Sequence, residues 1–239
     1  IIDLTKAAGF SRLELFRAHT ESTPVHDDWS VPMVREALAD AGLALTSLNI
    51  RNLTGRKADA DEHNLAYNLR QLEWDIHLGR ALGLSTMNTK GGERTDEALA
   101  DLIEGVNTLL KKIPDISLNL GNQKDNRLQT LADYQAVMPE LSTRAHVLLD
   151  TGHLLTADEP IMPFAEALAD RIGHVHLRDQ KGDKPVPFGT GDLPFAELIT
   201  LLKDSHYDGL LVIELEEVDW AEPLPAAIAA REYVEGLVG

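Results

Sequence analysis

The chain alternates between two local patterns, and that alternation limits what it can fold into more than any other feature. Seven short runs have the look of strands: "SRLELF" (11–16), "LALTSLNI" (43–50), "LSTMNTK" (84–90), "DISLNL" (115–120), "AHVLLD" (145–150), "IGHVHLR" (172–178) and "GLLVIELE" (209–216). Helical patterns lie between them. In 96–112, Leu99, Leu102, Ile103, Val106, Leu109 and Leu110 recur at helical spacing, as do Leu65, Leu69, Leu72 and Ile76, and later Phe195, Leu198, Ile199 and Leu202. Gly9, Gly42, Gly83 and Gly209 sit between a helix and the next strand, where a C-terminal glycine belongs. Strands separated by helices mean βαβ units and a parallel sheet. The chain opens on a helical stretch, "IIDLTKAAG", and we count seven strands against eight helices. The reading is a (β/α)8 barrel over a single domain, 1–239, with the first strand expected upstream of Ile1. A doubly wound open sheet is the alternative, but the Gly-rich phosphate loop that usually follows its first strand is missing.

Cysteine is absent, so thiolate zinc sites, disulfides and a Cys nucleophile are ruled out, and any metal must be held by His, Asp and Glu. The net charge of −17 would repel a polyanion, so nucleic acid is not expected as a partner. No run of 18 apolar residues occurs, so no membrane-spanning helix is expected, and a cysteine-free chain fits the cytoplasm. The expected partner is a small molecule, and a homo-oligomer is left open.

In a barrel, function sits at the C-terminal ends of the strands. Those positions hold Glu14, Asn49, Lys90, Asn122 with Gln123, Asp150 with His153, His176, and Glu214 with Glu216. In "GHVHLRD" (173–179), His174 and His176 point to the same face of a strand. Buried imidazoles need hydrogen-bond partners or a cation. Glu214 lies within the apolar "VIEL", where a carboxylate is costly unless paired or metal-bound. Asp150, His176 and Glu214, from three successive strands, form an O/N/O set for one divalent cation. Lys90 in "NTKGG" binds substrate or pairs with a carboxylate. His146 reads as structural, His26, His63, His77 and His206 read as surface residues, and Trp220 as a sugar-stacking or loop-packing ring.

The pieces "AAGFSRLELF" (7–16), "LLDTGHLLTA" (148–157), "IGHVHLRDQKGDKPVPFGTGDLPF" (172–195) and "YDGLLVIELE" (207–216), in that order, resemble the xylose isomerase-like TIM barrels, the sugar isomerase/epimerase superfamily that also contains endonuclease IV. The resemblance implies a divalent metal ion (Mn, Zn, Co or Mg) held by Asp150, His176 and Glu214. It implies that His153 contacts the substrate, that loop 179–192 folds over it, and that His174 supports the site from one layer deeper. One departure stands out. The family pattern places a Glu at the end of the fifth strand, as metal ligand and second acid/base group. Here "LNLGNQ" (118–123) puts Gly121 in that place and Gln123 where a His is common.

The expected activity is a metal-assisted isomerase or epimerase acting on a small keto-sugar or polyol through an enediolate. Glu214 is the base, His153 the second catalytic residue, and Lys90, Asn122, Gln123 and Glu14 bind substrate. The alternatives are a one-base lyase or dehydratase, and a catalytically silent barrel that binds a sugar or a partner. An endonuclease-like zinc site would need many more ligands. A gap beside the metal position, lined by Asn119, Asn122 and Gln123, is expected in front of Gly121.

Overall fold

The computed structural model describes residues 1–17, 31–53, 65–215 and 221–239. Helix α1 (Ile2–Ala7) leads into β1 (Arg12–Phe16). Then follow α2 (Val31–Ala41), β2 (Ala44–Asn49), α3 (Leu65–Ala81), β3 (Thr86–Lys90), α4 (Asp96–Lys112), β4 (Ser117–Gly121), α5 (Leu131–Val137) and β5 (Ala145–Asp150). The second half holds α6 (Thr151–Thr156), α7 (Ile161–Leu168), β6 (Ile172–Leu177), a small hairpin β7 (Gln180–Lys181) and β8 (Lys184–Pro185), α8 (Phe195–Asp204), β9 (Leu211–Ile213) and α9 (Pro223–Val238). Seven strands form one parallel sheet in the order β1-β2-β3-β4-β5-β6-β9. The sheet is a nearly closed barrel carrying seven strands of the (β/α)8 pattern, with no β9–β1 ladder among the described residues. On the outside, α9 is tied back to α1 by the Arg231 side chain, which donates to the Ala8 carbonyl at 2.9 Å.

Strand alternation divides the residues cleanly. Leu48, Met87, Leu118, Leu120, Val147, Leu149, Val175 and Leu177 turn outward and are buried under the helices. Helix α4 meets this layer with Leu102, Val106, Leu109 and Leu110, all fully buried, each worth roughly 1.5–3 kcal/mol. Thr95 caps α4, accepting from the Ala98 amide, and Asp96, Glu97, Lys111 and Lys112 place charge of the favourable sign at each end. The inward face of the barrel is not apolar. Ser47, Asn88, Asn119 and His174 are buried there, below the strand ends.

The expected glycine stops are present at Gly9, Gly42 and Gly83, all with positive φ. After α8 the left-handed residue is His206 (φ 58°), not Gly209. The Tyr207 amide reaches back to the Leu202 carbonyl at 2.9 Å, so the helix closes three residues before the glycine. His206 and His77 are exposed. His146 lies in β5, half-buried, its imidazole held below the usual histidine range by burial and by Arg171. His26, His63, Glu216 and Trp220 lie outside the described residues.

Candidate active site

The β5–α6 junction shows how local structure positions a site. Asp150 ends β5 and caps α6, its Oδ1 accepting from the His153 amide at 2.9 Å. That leaves Oδ2, which is buried and accepts no hydrogen bond among the described residues. Its neighbours are His176 Nδ1 and His153 Nε2, each at 3.8 Å, and Arg178 Nη2 at 3.6 Å. The Asp150 backbone is held in turn by Asn122, whose amide nitrogen donates to the Asp150 carbonyl (3.0 Å) and whose oxygen accepts from the Asp150 amide (2.8 Å). Asn122 therefore braces the strand end. Its carboxamide gives one hydrogen bond to the strand end and takes one from it.

One strand further, His176 Nδ1 lies 2.9 Å from Glu214 Oε1, and Glu214 Oε2 takes the Arg178 guanidinium at 2.8 Å. Asp150, His176 and Glu214 each offer one atom, and these atoms all lie within 4.8 Å of one another. Burial disfavours charge on both carboxylates, but His176 and the neighbouring cations outweigh it and hold both groups below the usual carboxylate range. His176 shifts the other way. Burial opposes its charge, yet Glu214 and Glu14 raise it well above the usual histidine value. An orphaned buried carboxylate oxygen beside an imidazole nitrogen and a second carboxylate is a donor set that suits a divalent cation.

Glu14, from β1 on the far side of the ring, is the part of the site that sequence reasoning misplaced. Its carboxylate is 3 % exposed and is hydrogen-bonded to four side chains, His174 Nε2 at 2.6 Å, Asn88 at 3.1 Å, and Ser47 and Asn49, with His176 Nε2 as an ion-pair neighbour at 2.8 Å. Burial again opposes charge, and the His176 and His174 imidazoles outweigh it, holding Glu14 well below the usual range. With both oxygens taken by protein groups, Glu14 is a structural anchor and not a substrate contact. Glu14, His174 and His176 also cluster tightly enough to suggest a second metal group. In that group His174 Nε2 is hydrogen-bonded to Glu14 Oε2 at 2.6 Å, while His176 Nε2 stands 2.8 Å from Glu14 Oε1 as an ion-pair neighbour. Glu14 thus faces His176 Nε2, while Nδ1 faces Asp150 and Glu214.

Two more residues complete the floor. Arg178 is 2 % exposed, and its backbone exchanges hydrogen bonds with the Thr151 hydroxyl (2.9 and 3.1 Å). A side chain on Gly152 would collide with the Arg178 stem and with Gln180 Oε1, so the glycine of "DTGH" makes room for these two side chains. Arg178 was not among the expected site residues. Its two-residue step from His176, on the same face, is the signal that could have found it. Lys90 ends β3, pairs with Gly121 in the ladder, and brings Nζ to 3.2 Å from His153 Nε2. Burial lowers the His153 value, with Asp150 opposing and Lys90 adding to the shift. No amide-lined gap opens at Gly121, because a Cβ there would rest on Lys90 Cγ (3.4 Å), Leu148 (3.6 Å) and Lys90 Cε (3.7 Å). Asn119 is turned to Asn88 instead, at 2.8 Å. Gln123 follows β4 half-buried, its backbone accepting from the Asn126 amide at 3.2 Å. Of the loop expected above the site, Asp179 is buried and accepts from the Gly189 and Gly191 amides at 2.7 and 3.1 Å, drawing the 179–192 segment into a closed turn.

A parallel barrel with buried carboxylates and imidazoles converging at its strand ends is the form of a metal-dependent TIM-barrel site. The sequence pattern described as "Xylose isomerase-like TIM barrel" matches residues 2–236, and the chain belongs to that family. Among curated relatives, inosose dehydratase of Clostridium tetani (strain Massachusetts / E88) is 29% identical over 164 residues, which cover 59% of this chain and 55% of that protein. The chain thus spans about half the length of the curated relatives it matches. Among solved structures, an L-ribulose 3-epimerase aligns with TM-score 0.78 and 21% identity over 99% of this chain and 87% of that one. The IOLI protein with a bound zinc atom aligns with TM-score 0.80 and 15% identity over 99% and 91%. At these identities the solved structures establish the fold. No helix among the described residues is long and apolar enough to cross a membrane.

Proposed function

We propose that this chain is a sugar-modifying enzyme that uses a divalent metal ion to remove a proton beside the carbonyl of a keto-sugar or keto-polyol, and that its reaction is an elimination of water. The observation that carries this is the asymmetry of the site. Asp150 Oδ2, His176 Nδ1 and Glu214 Oε1 converge, His153 and Lys90 adjoin them on the Asp150 side, and position 121 beneath Lys90 is glycine rather than a further carboxylate. A divalent ion held by Asp150, His176 and Glu214 would polarise the substrate carbonyl and stabilise the enolate oxygen. Glu214 takes the proton from the adjacent carbon. The proton goes to a free lone pair of Oε2, the oxygen that Arg178 orients at 2.8 Å, since Oε1 faces the metal position. The Lys90 ammonium, 3.2 Å from His153 Nε2, gives a proton to the departing hydroxyl, which leaves as water. Epimerisation at one carbon needs a second proton-transfer group on the opposite face, and position 121 supplies none. The inosose dehydratase relatives support the elimination reading, and the sugar epimerase neighbours support the same substrate class. Isomerisation through the same proton abstraction is the second reading, favoured by those neighbours alone.

The test is to load the protein with Mn²⁺ or Co²⁺ and incubate it with an inosose and with ketohexoses in deuterated water. The expected result is water loss from the inosose, seen as an ultraviolet-absorbing unsaturated ketone or dione, with no epimerised ketohexose. Epimerised ketohexose carrying deuterium at the inverted carbon would overturn it.

A further inference from the structure

Asp133 does more than start a helix. In α5 it closes a capping box with Thr130, accepting from the Thr130 amide at 2.8 Å, which is what a helix start asks of it. Its carboxylate, 6 % exposed, also takes two guanidinium groups from elsewhere in the chain. Arg94, from the loop after β3, donates to Oδ2 at 2.7 Å and to Oδ1 at 3.1 Å. Arg127, from the loop after β4, donates to Oδ1 at 3.1 Å. A bidentate guanidinium–carboxylate pair fixes direction as well as distance.

The two arginines tie together the segments that leave β3 and β4. The Arg127 amide donates to the Gly92 carbonyl at 2.8 Å, the Asn126 carboxamide donates to the Gly91 carbonyl, and Arg94 donates to the Asn126 carbonyl at 3.0 Å. Gly91 is buried, and a Cβ on it would stand 3.0 Å from Arg127 Cβ and from Asn126 Oδ1, tighter than ordinary contact, so glycine lets the segments close on each other. Lys90 stands at the head of this stitched segment. Its carbonyl accepts from the Leu53 amide at 3.0 Å, and its ammonium lies 3.2 Å from His153 Nε2. A lysine stem is flexible, so where the ammonium can reach depends on where the backbone that carries it is held.

We propose that Asp133 is a positioning residue: through Arg94 and Arg127 it holds the exit of β3, and so keeps the Lys90 ammonium where the hydroxyl departs. This rests on the elimination reading above and adds to it the device that places the proton donor. In that reaction the C–H bond beside the carbonyl breaks and its proton goes to Glu214. The C–O bond at the next carbon breaks, the oxygen keeps the electron pair, and the hydroxyl takes a proton from Lys90 Nζ and leaves as water. A fluorine in place of that hydroxyl leaves as fluoride, a weak base that needs no proton. Misplacing Lys90 therefore slows loss of water and spares loss of fluoride.

The experiment uses Mn²⁺-loaded protein, an inosose, and the same compound with fluorine in place of the hydroxyl that leaves. Lys90→Met is the reference. Its loss of water should fall about 10²-fold or more, the usual weight of a general acid, and its loss of fluoride far less. Asp133→Asn keeps an acceptor for the helix cap, and Arg94→Met leaves Asp133 and α5 intact. Both should follow the Lys90→Met pattern, with kcat for water loss down about tenfold to 10²-fold and KM level. In the metal-free proteins, hydrogen exchange at the Arg127 amide should be about tenfold faster in both variants. Water loss near wild type in either variant, or unchanged exchange in both, would overturn the positioning role. Equal slowing of water and fluoride loss would overturn it too, since that is general damage to the barrel. Normal water loss in Lys90→Met would remove Lys90 as donor and this inference with it, while the elimination survives. Release of neither water nor fluoride by wild type would instead overturn the elimination reading.

Discussion

Glu14→Gln is the sharpest probe of how the barrel holds its site. The substitution keeps the shape of a side chain that is 3 % exposed but removes its charge and turns one acceptor oxygen into a donor. Wild-type Glu14 is hydrogen-bonded to the His174 imidazole, to Ser47 and to two asparagines, and stands 2.8 Å from His176 Nε2 as an ion-pair neighbour. Glutamine can still accept on one side. On the other its NH₂ must face a histidine N–H or an amide donor. Hydrogen bonds to charged groups contribute about 1.5–3 kcal/mol each, and an unsatisfied buried donor costs about 1–3 kcal/mol. Part of this is offset because no buried charge remains. A net loss of about 3 kcal/mol follows, or a drop in Tm of roughly 6–12 °C for a domain of this size. The pH dependence adds a sign. The raised value of His176 contributes stability that is fully present below the ordinary histidine value of 6.5 and is lost as pH rises through the raised folded value. The lowered value of Glu14 contributes stability present above 4.5 and lost as pH falls through its depressed value. Scanning calorimetry of the metal-free protein at pH 6 should therefore show the full difference between wild type and variant, and the difference should shrink as pH rises through the raised His176 value. A change in Tm below about 2 °C at pH 6 would refute the claim that Glu14 anchors the two histidines.

Glu214→Gln should abolish turnover while leaving the circular dichroism spectrum unchanged, and residual activity near wild type would exclude Glu214 as the base. Gly152→Ala should cost about 1–3 kcal/mol by overpacking against Arg178 and Gln180, read as a lower denaturant midpoint with unchanged slope. Gly121→Glu should fold normally, since a Cβ there meets only ordinary contacts. It should tighten Mn²⁺ binding about tenfold, the equivalent of roughly 1.4 kcal/mol, and calorimetry showing weaker binding would contradict this.

The strand–helix alternation was legible because periodicity is a local property: the residues that turn outward, such as Leu118, Leu120, Val147 and Leu149, announce themselves by spacing alone. For the same reason Asp150, His176 and Glu214 could be placed at successive strand ends, and the structure brings them together. What spacing cannot carry is contact across the ring. Glu14 and His174 are 160 residues apart and meet only because a twisted sheet curls until its first strand faces its sixth. That contact makes Glu14 an anchor beneath the candidate site. Competition for polar partners was equally hidden. The Asn122 carboxamide meets the Asp150 backbone, and Gly121 looked like a gap until the Lys90 stem lay across it. Sequence determined which side chains stand at the mouth of the barrel. Tertiary structure decided which of them satisfy one another and which remain to meet a ligand, because a buried polar atom takes whatever partner the curled sheet delivers within about 3 Å.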